Sequence, residues 1–104
     1  MDITNTETFP GKTIIASHGV VSGSTVRAKH AGRDIMASIK NVFGGELKGY
    51  TELLEESRNE ALERMQNQAK QMGANAIINV RFSTSSVAAG ASEIYVYGTA
   101  VTVE

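Results

Sequence analysis

Near the end of the chain, IYVYGTAVTV at positions 94–103 is apolar on both sides. A strand sends successive side chains to opposite faces. Ile94, Val96 and Ala100 therefore point one way, and Tyr95, Tyr97, Val101 and Val103 the other. A sheet holding such a strand needs cover on both faces, because one layer of helices hides only one of them. At 104 residues the chain is one domain, spanning 1–104, and it buries only about 60–68% of its unfolded surface. It is too small to wrap both faces with helices.

The rest of the chain supplies two helical patterns and two more strands. Residues 1–11 form a polar lead-in ending in the Pro10-Gly11 turn signal. KTIIASHGVVSG, residues 12–23, has strand character with a glycine-loosened end. In residues 24–43, Ala28, Ala31, Gly32, Ile35, Ile39 and Val42 recur at spacings of three and four, which predicts an amphipathic helix capped near Ser24 or Thr25. Residues 50–72 carry the strongest helical pattern. Leu54, Ala61, Met65, Ala69 and Met72 line one face, with Leu53 and Leu62 widening it. Glu52, Glu55 and Glu56 fall in the first turns, Lys70 falls near the end, and Glu60 and Arg64 form an i,i+4 pair. Gly73 is placed to close the helix in the left-handed conformation.

ANAIINVRFSTS then reads as a strand, with Ile78, Val80 and Phe82 on one face and Ile77, Asn79 and Arg81 on the other. Residues 85–93, SSVAAGASE, read as a small-residue loop, short enough to pair the last two strands as an antiparallel hairpin. The predicted fold is α+β with order β-α-α-β-β, a small mainly antiparallel sheet packed on a helical hairpin. Gly44, Gly45 and Gly49 mark the corner of that hairpin: Gly44 and Gly45 end the first helix, Gly49 admits the chain to the second, and Tyr50 starts it. The second sheet face is left without cover, since residues 1–11 offer only Ile3 and Phe9. Association of copies through the sheet would cover both that face and the sheet edges, so a homo-oligomer is expected.

Composition narrows the functional classes. A net charge of -1 shows no basic excess, so no nucleic-acid partner is expected. The absence of cysteine removes disulfides, thiol catalysis and thiolate metal sites together. No apolar run approaches the roughly 20 residues of a membrane span, and the polar, acidic N-terminus is no secretory signal. A cytoplasmic protein without a membrane partner is expected.

Little in the sequence carries chemistry. HGVVSGSTV, between a predicted strand and helix, lacks the Gly-Lys-Ser/Thr ending of a phosphate loop, and the dinucleotide spacing is absent. GGELKG follows a helix rather than a strand. His18 and His30 are the two imidazoles. His30 and Asp34 sit one helical turn apart and could share an ion, with oligomer symmetry multiplying the ligands. Arg33, Asp34, Tyr50 and Arg58 fall near the glycine corner, where an arginine could meet a small anionic ligand and a carboxylate could act as base. No cofactor motif is present. Three readings follow: a non-enzymatic oligomer, structural or binding a small ligand between subunits; a metal-binding protein using histidines repeated by symmetry; or a small enzyme with a site between subunits.

Arg33-Asp34, Gly44-Gly45, Tyr50, Ser57-Arg58, Ala61, Gln68-Ala69 and the run Gly73-Ala74-Asn75-Ala76 before an apolar strand, with the earlier Gly19-Val20-Val21-x-Gly23, resemble the YbjQ-like family of small bacterial proteins of unknown function. The resemblance covers nearly the whole chain. It implies a compact α+β subunit assembled as a ring, as a homopentamer. The family is sometimes labelled "putative heavy-metal-binding". Soft metals prefer thiolates, and this chain has none.

Overall fold

A computed structural model describes residues 1–27, 48–88 and 91–104 of the chain. The elements are β1 (Asp2–Ile3), β2 (Ile14–Arg27), α1 (Lys48–Gln71), β3 (Ala76–Ala88) and β4 (Ala91–Val103). The strands form one mixed sheet in the order β1-β3-β4-β2. β4 is central and runs antiparallel to both β2 and β3. The small α+β class and the antiparallel β3–β4 hairpin agree with the pattern in the sequence.

α1 lies on one face of the sheet. Ala61, Met65 and Ala69 are fully buried against Val21, Ile77, Val80, Ile94, Val96 and Ala100, with Leu54 and Leu62 packed at the margin. The helix follows its apolar spacing, and small alanines let its backbone approach the strands. Gly23 permits the closest approach: a Cβ built there would lie 2.1 Å from the Ala61 carbonyl oxygen. The helix closes as expected. Gly73 takes φ +88°, its N–H donates to the Lys70 carbonyl, and the Ala74 N–H donates to the Ala69 carbonyl. This pair of bonds satisfies two of the orphan carbonyls at the helix end.

Several expectations change. Among the described residues the sheet has four strands rather than three, because the lead-in contributes β1, paired in parallel through Asp2↔Ala76 and Ile3↔Ile77. Residues 24–27 extend β2 instead of opening a helix. Thr25 pairs with Ile94, and its hydroxyl donates to the Ser57 carbonyl, so it bridges strand to helix rather than capping. The rest of the predicted first helix, from residue 28, lies outside the described residues, as do Gly44 and Gly45. α1 begins at Lys48, two residues before Tyr50, and Gly49 falls inside its first turn. That start leaves no acidic residue in the first turn, while Lys70 does lie in the last. The expected loop at 85–93 is largely strand, with pairing continuing to Ala88↔Ala91. Small residues there fit a pleated ladder as readily as a loop. Met72 is exposed rather than part of the helix stripe.

One correction alters which side chains share a face. Asn79 takes φ 55°, and the β3–β4 register slips by a residue between Ile78 and Arg81. Such a bulge inverts the alternation beyond it. Ile78 therefore joins Ala76, Val101 and Val103 on the outer face, whereas Val80 lies in the helix-side core.

Candidate functional site

The outer face has two ends of different character. At one end, Ala76, Ile78, Val101 and Val103 are buried, with Phe9 and Ile14 packed on them. Phe9 reaches them through a tight turn in which the Lys12 N–H donates to the Phe9 carbonyl and Gly11 takes φ +77°. The fixed φ of Pro10 followed by a positive φ at glycine is the requirement of a type II turn. The lead-in thus covers more of this face than its two large apolar residues suggested. It is secured by Lys12, which donates to Asp2 at 2.6 Å. The bond from Lys12, and then its charge, hold the Asp2 carboxyl below its ordinary range.

The other end has no such cover among the described residues. Register places Val20 beside Thr99, Ser22 beside Tyr97, Ser24 beside Tyr95 and Val26 beside Glu93. Across β4, Arg81 pairs with Tyr97 and Ser83 with Tyr95. The rings of Tyr95 and Tyr97 stack at 5.6 Å between centroids. Val20 is 72% exposed, Val26 55% and Tyr97 39%. On the helix side, an open groove of about 440 Å³ runs between Ile3, Thr4, Asn5, Leu62, Val80 and Phe82.

The residues singled out for chemistry do not converge. His18 sits at an irregularity of β2, between Ser17 and Gly19. Its Nε2 lies 2.7 Å from the Thr102 hydroxyl. A Cβ on neighbouring Gly19 would sit 4.0 Å from the Met72 methyl, which places His18 near the C-terminal end of α1. Arg58 is exposed on α1, 14 residues earlier than Met72 in the chain, a rise of roughly 20 Å along the helix. Tyr50 is two turns before Arg58. His30, Arg33 and Asp34 lie outside the described residues. Among the described residues, no three of the His, Asp and Glu side chains come together to hold a metal.

Ser57 is a polar residue the sequence did not mark as buried. It is fully enclosed beneath Thr25, and its hydroxyl donates to the Leu53 carbonyl. The small residues Ala61 and Ala69 on the same face are the signal that the strands pack closely along this helix. Among the described residues, no helix is long and apolar enough to cross a membrane.

Among the described residues, a mixed four-stranded sheet with one helix on its inner face, and an outer face half covered by the N-terminal segment, defines a small α+β fold. The chain belongs to the YbjQ family, whose model, described as "Putative heavy-metal-binding", matches residues 1–104. It is 70% identical to a UPF0145 protein of Hahella chejuensis, over all of both chains. It is 59% identical to a UPF0145 protein of Dehalococcoides mccartyi strain BAV1, again over all of both. A UPF0145 protein of Archaeoglobus fulgidus is 56% identical over 95% of this chain and 92% of its own. The fold also matches a crystal structure from Pediococcus pentosaceus, a protein of unknown function in the DUF74 family. The TM-score is 0.67 at 19% identity, over 100% of this chain and 98% of that one.

The donor set fits a soft heavy metal poorly. Such ions take thiolates by preference, and the chain has no cysteine.

Proposed function

We propose that this chain is a non-enzymatic assembly subunit: a cytoplasmic homo-oligomer, ring-shaped and of five copies, with a structural role or a small ligand held between subunits. The supporting observation is the open end of the outer sheet face, where Val20, Val26 and the stacked Tyr95–Tyr97 pair stand in one patch. Contiguous exposed apolar surface of this kind marks an association site, and tyrosine is among the residues enriched in interface cores. The number five comes from the family resemblance. The ring form accords with an end of the outer face that no described part of the chain covers.

Light scattering on the purified protein tests this. The expected mass is a multiple of the 11.1 kDa chain, five-fold for the pentamer. Val20→Asp should release monomers, because the side chain is exposed in the subunit and a charge is costly only once a neighbour buries it. A monomeric wild type at micromolar concentration refutes the proposal.

A further inference from the structure

We propose that residues 1–11 are a releasable strap, latched by Lys12, that covers and uncovers one half of the outer sheet face. The strap has a sharp boundary. From Thr13 onward the chain is locked into the sheet, because Thr13 and Glu104 exchange both main-chain bonds at 3.0 Å. The Asn75 side chain holds both the N–H and the carbonyl of Val103. None of these bonds involves residues 1–11. Gly11, at φ +77° with nothing within 4 Å of an added Cβ, is the joint between strap and sheet. Inside the strap, the Thr4 and Thr6 hydroxyls bond at 2.8 Å, the Thr6 N–H donates to the Thr4 hydroxyl, and the Thr6 hydroxyl donates to the Thr8 carbonyl. Residues 4–8 therefore move as one piece.

The strap is held by few contacts, and most are exposed. Beside the two-residue β1 ladder, the Thr4 N–H donates to the Ile77 carbonyl, and the Val80 and Asn79 N–H groups donate to the carbonyls of Thr4 and Thr6. Arg81 donates to the Asn5 carbonyl at 2.7 Å. Lys12 is the latch: its Nζ lies 2.6 Å from the Asp2 carboxylate and 5.9 Å from the centre of the Phe9 ring, so one side chain touches both ends of the strap. An exposed ion pair of this kind is weak, and a segment with so little buried surface opens well below the free energy of global unfolding.

The seat of the strap is a strained point. Asn79, at φ 55°, is the one non-glycine residue with positive φ among the described residues, and its N–H and that of Val80 are the two that β3 aims at the strap. Such an outlier persists where its surroundings hold it, and outliers gather at switching elements. Docking of the strap and the left-handed turn at Asn79 support each other, and release removes the bonds that stabilise the turn. The cluster that Phe9 covers includes Ile78. Ile78, Thr99 and Val20 form one row across β3, β4 and β2, and Val20 is 72% exposed. The covered and open halves of the outer face are thus contiguous, and release joins them into a single apolar surface. Only that consequence touches the assembly reading above; the opening is a property of one chain.

Hydrogen exchange followed by NMR on the full-length protein tests the strap, with the Thr4 and Val80 amides as reporters because both are bonded across its junction. They should exchange together, on the order of 100-fold faster than β4 amides such as that of Val96. Lys12→Ala should speed both reporters by up to about five-fold and leave the β4 amides unchanged. Asn79→Val, which resists the left-handed conformation, should speed them by about ten-fold, whereas Asn79→Gly should keep them protected. Reporters that exchange at the β4 rate, or that respond to neither Lys12→Ala nor Asn79→Val, overturn the strap. If Asn79→Val loses its circular dichroism signal, the Lys12→Ala comparison decides alone. The exchange is read whatever the mass of the particle, so a monomeric wild type overturns the assembly reading and leaves the strap standing.

Discussion

Gly23→Ala is the most demanding perturbation of the fold. Its Cβ would lie 2.1 Å from the Ala61 carbonyl oxygen, 2.7 Å from the Met65 nitrogen and 3.1 Å from the Arg64 Cβ. The two nearest atoms belong to the helix backbone, so no side-chain rotation relieves the clash. To reach ordinary contact, α1 would have to retreat by about 1 Å, loosening Ala61 and Met65 from the sheet, where close packing forfeits dispersion energy quickly. Overpacking of this kind costs about 1–3 kcal/mol, and the backbone obstruction puts it at the upper end. For a domain of this size each kcal/mol lowers Tm by about 4–8 °C, so a loss on the order of 10–20 °C is expected. Gly73→Ala is the comparison. Gly73 has φ +88° with nothing within 4 Å of its added Cβ, so only the conformational penalty of roughly 1–2 kcal/mol applies. Thermal unfolding at matched protein concentration decides between them, since association raises Tm by mass action. A Gly23→Ala protein that melts with the wild type, or above Gly73→Ala, refutes the close-approach reading.

Two further outcomes follow from the site residues. The Asp2 carboxyl has a lowered folded-state pKa because Lys12 bonds to it. Its contribution is present above the unfolded aspartate value of about 3.9 and is lost as pH falls through the lower folded value. Lys12→Ala should return the Asp2 titration, followed by NMR, toward that unfolded value; an unchanged titration contradicts the clasp. Calorimetry with zinc, copper and cadmium should show no stoichiometric submicromolar binding, and such binding abolished by His18→Ala or His30→Ala would favour the metal-binding reading over the proposed one.

Much of the fold is legible residue by residue. The spacing of Ala61, Met65 and Ala69 defines the buried helix face without reference to anything distant, because helical periodicity is local. The left-handed Gly73 is equally local. The two-sided apolar character of residues 94–103 calls for cover on both faces, and β4 contributes side chains to both cores. The candidate site was less legible. His18 and Arg58 look equally available in the sequence, yet lie toward different ends of α1. Their separation depends on where β2 crosses the helix, which no local pattern encodes.

The sequence by itself determined the class of fold, the strand apolar on both faces, the helix that packs on it and the lack of thiolate ligands, because periodicity and composition act over one or two turns. Only the tertiary structure decided the rest. Residues 24–27 became strand because Thr25 finds Ile94 and Ser57 across the sheet and helix. Ile78 parted from Val80 because one left-handed residue, Asn79, shifts the register. The polar lead-in became a fourth strand and a cover because Pro10 and Gly11 return Phe9 to Val101 and Val103. Each of these depends on a partner far away in the chain, whose position is set only when the whole sheet has closed around it.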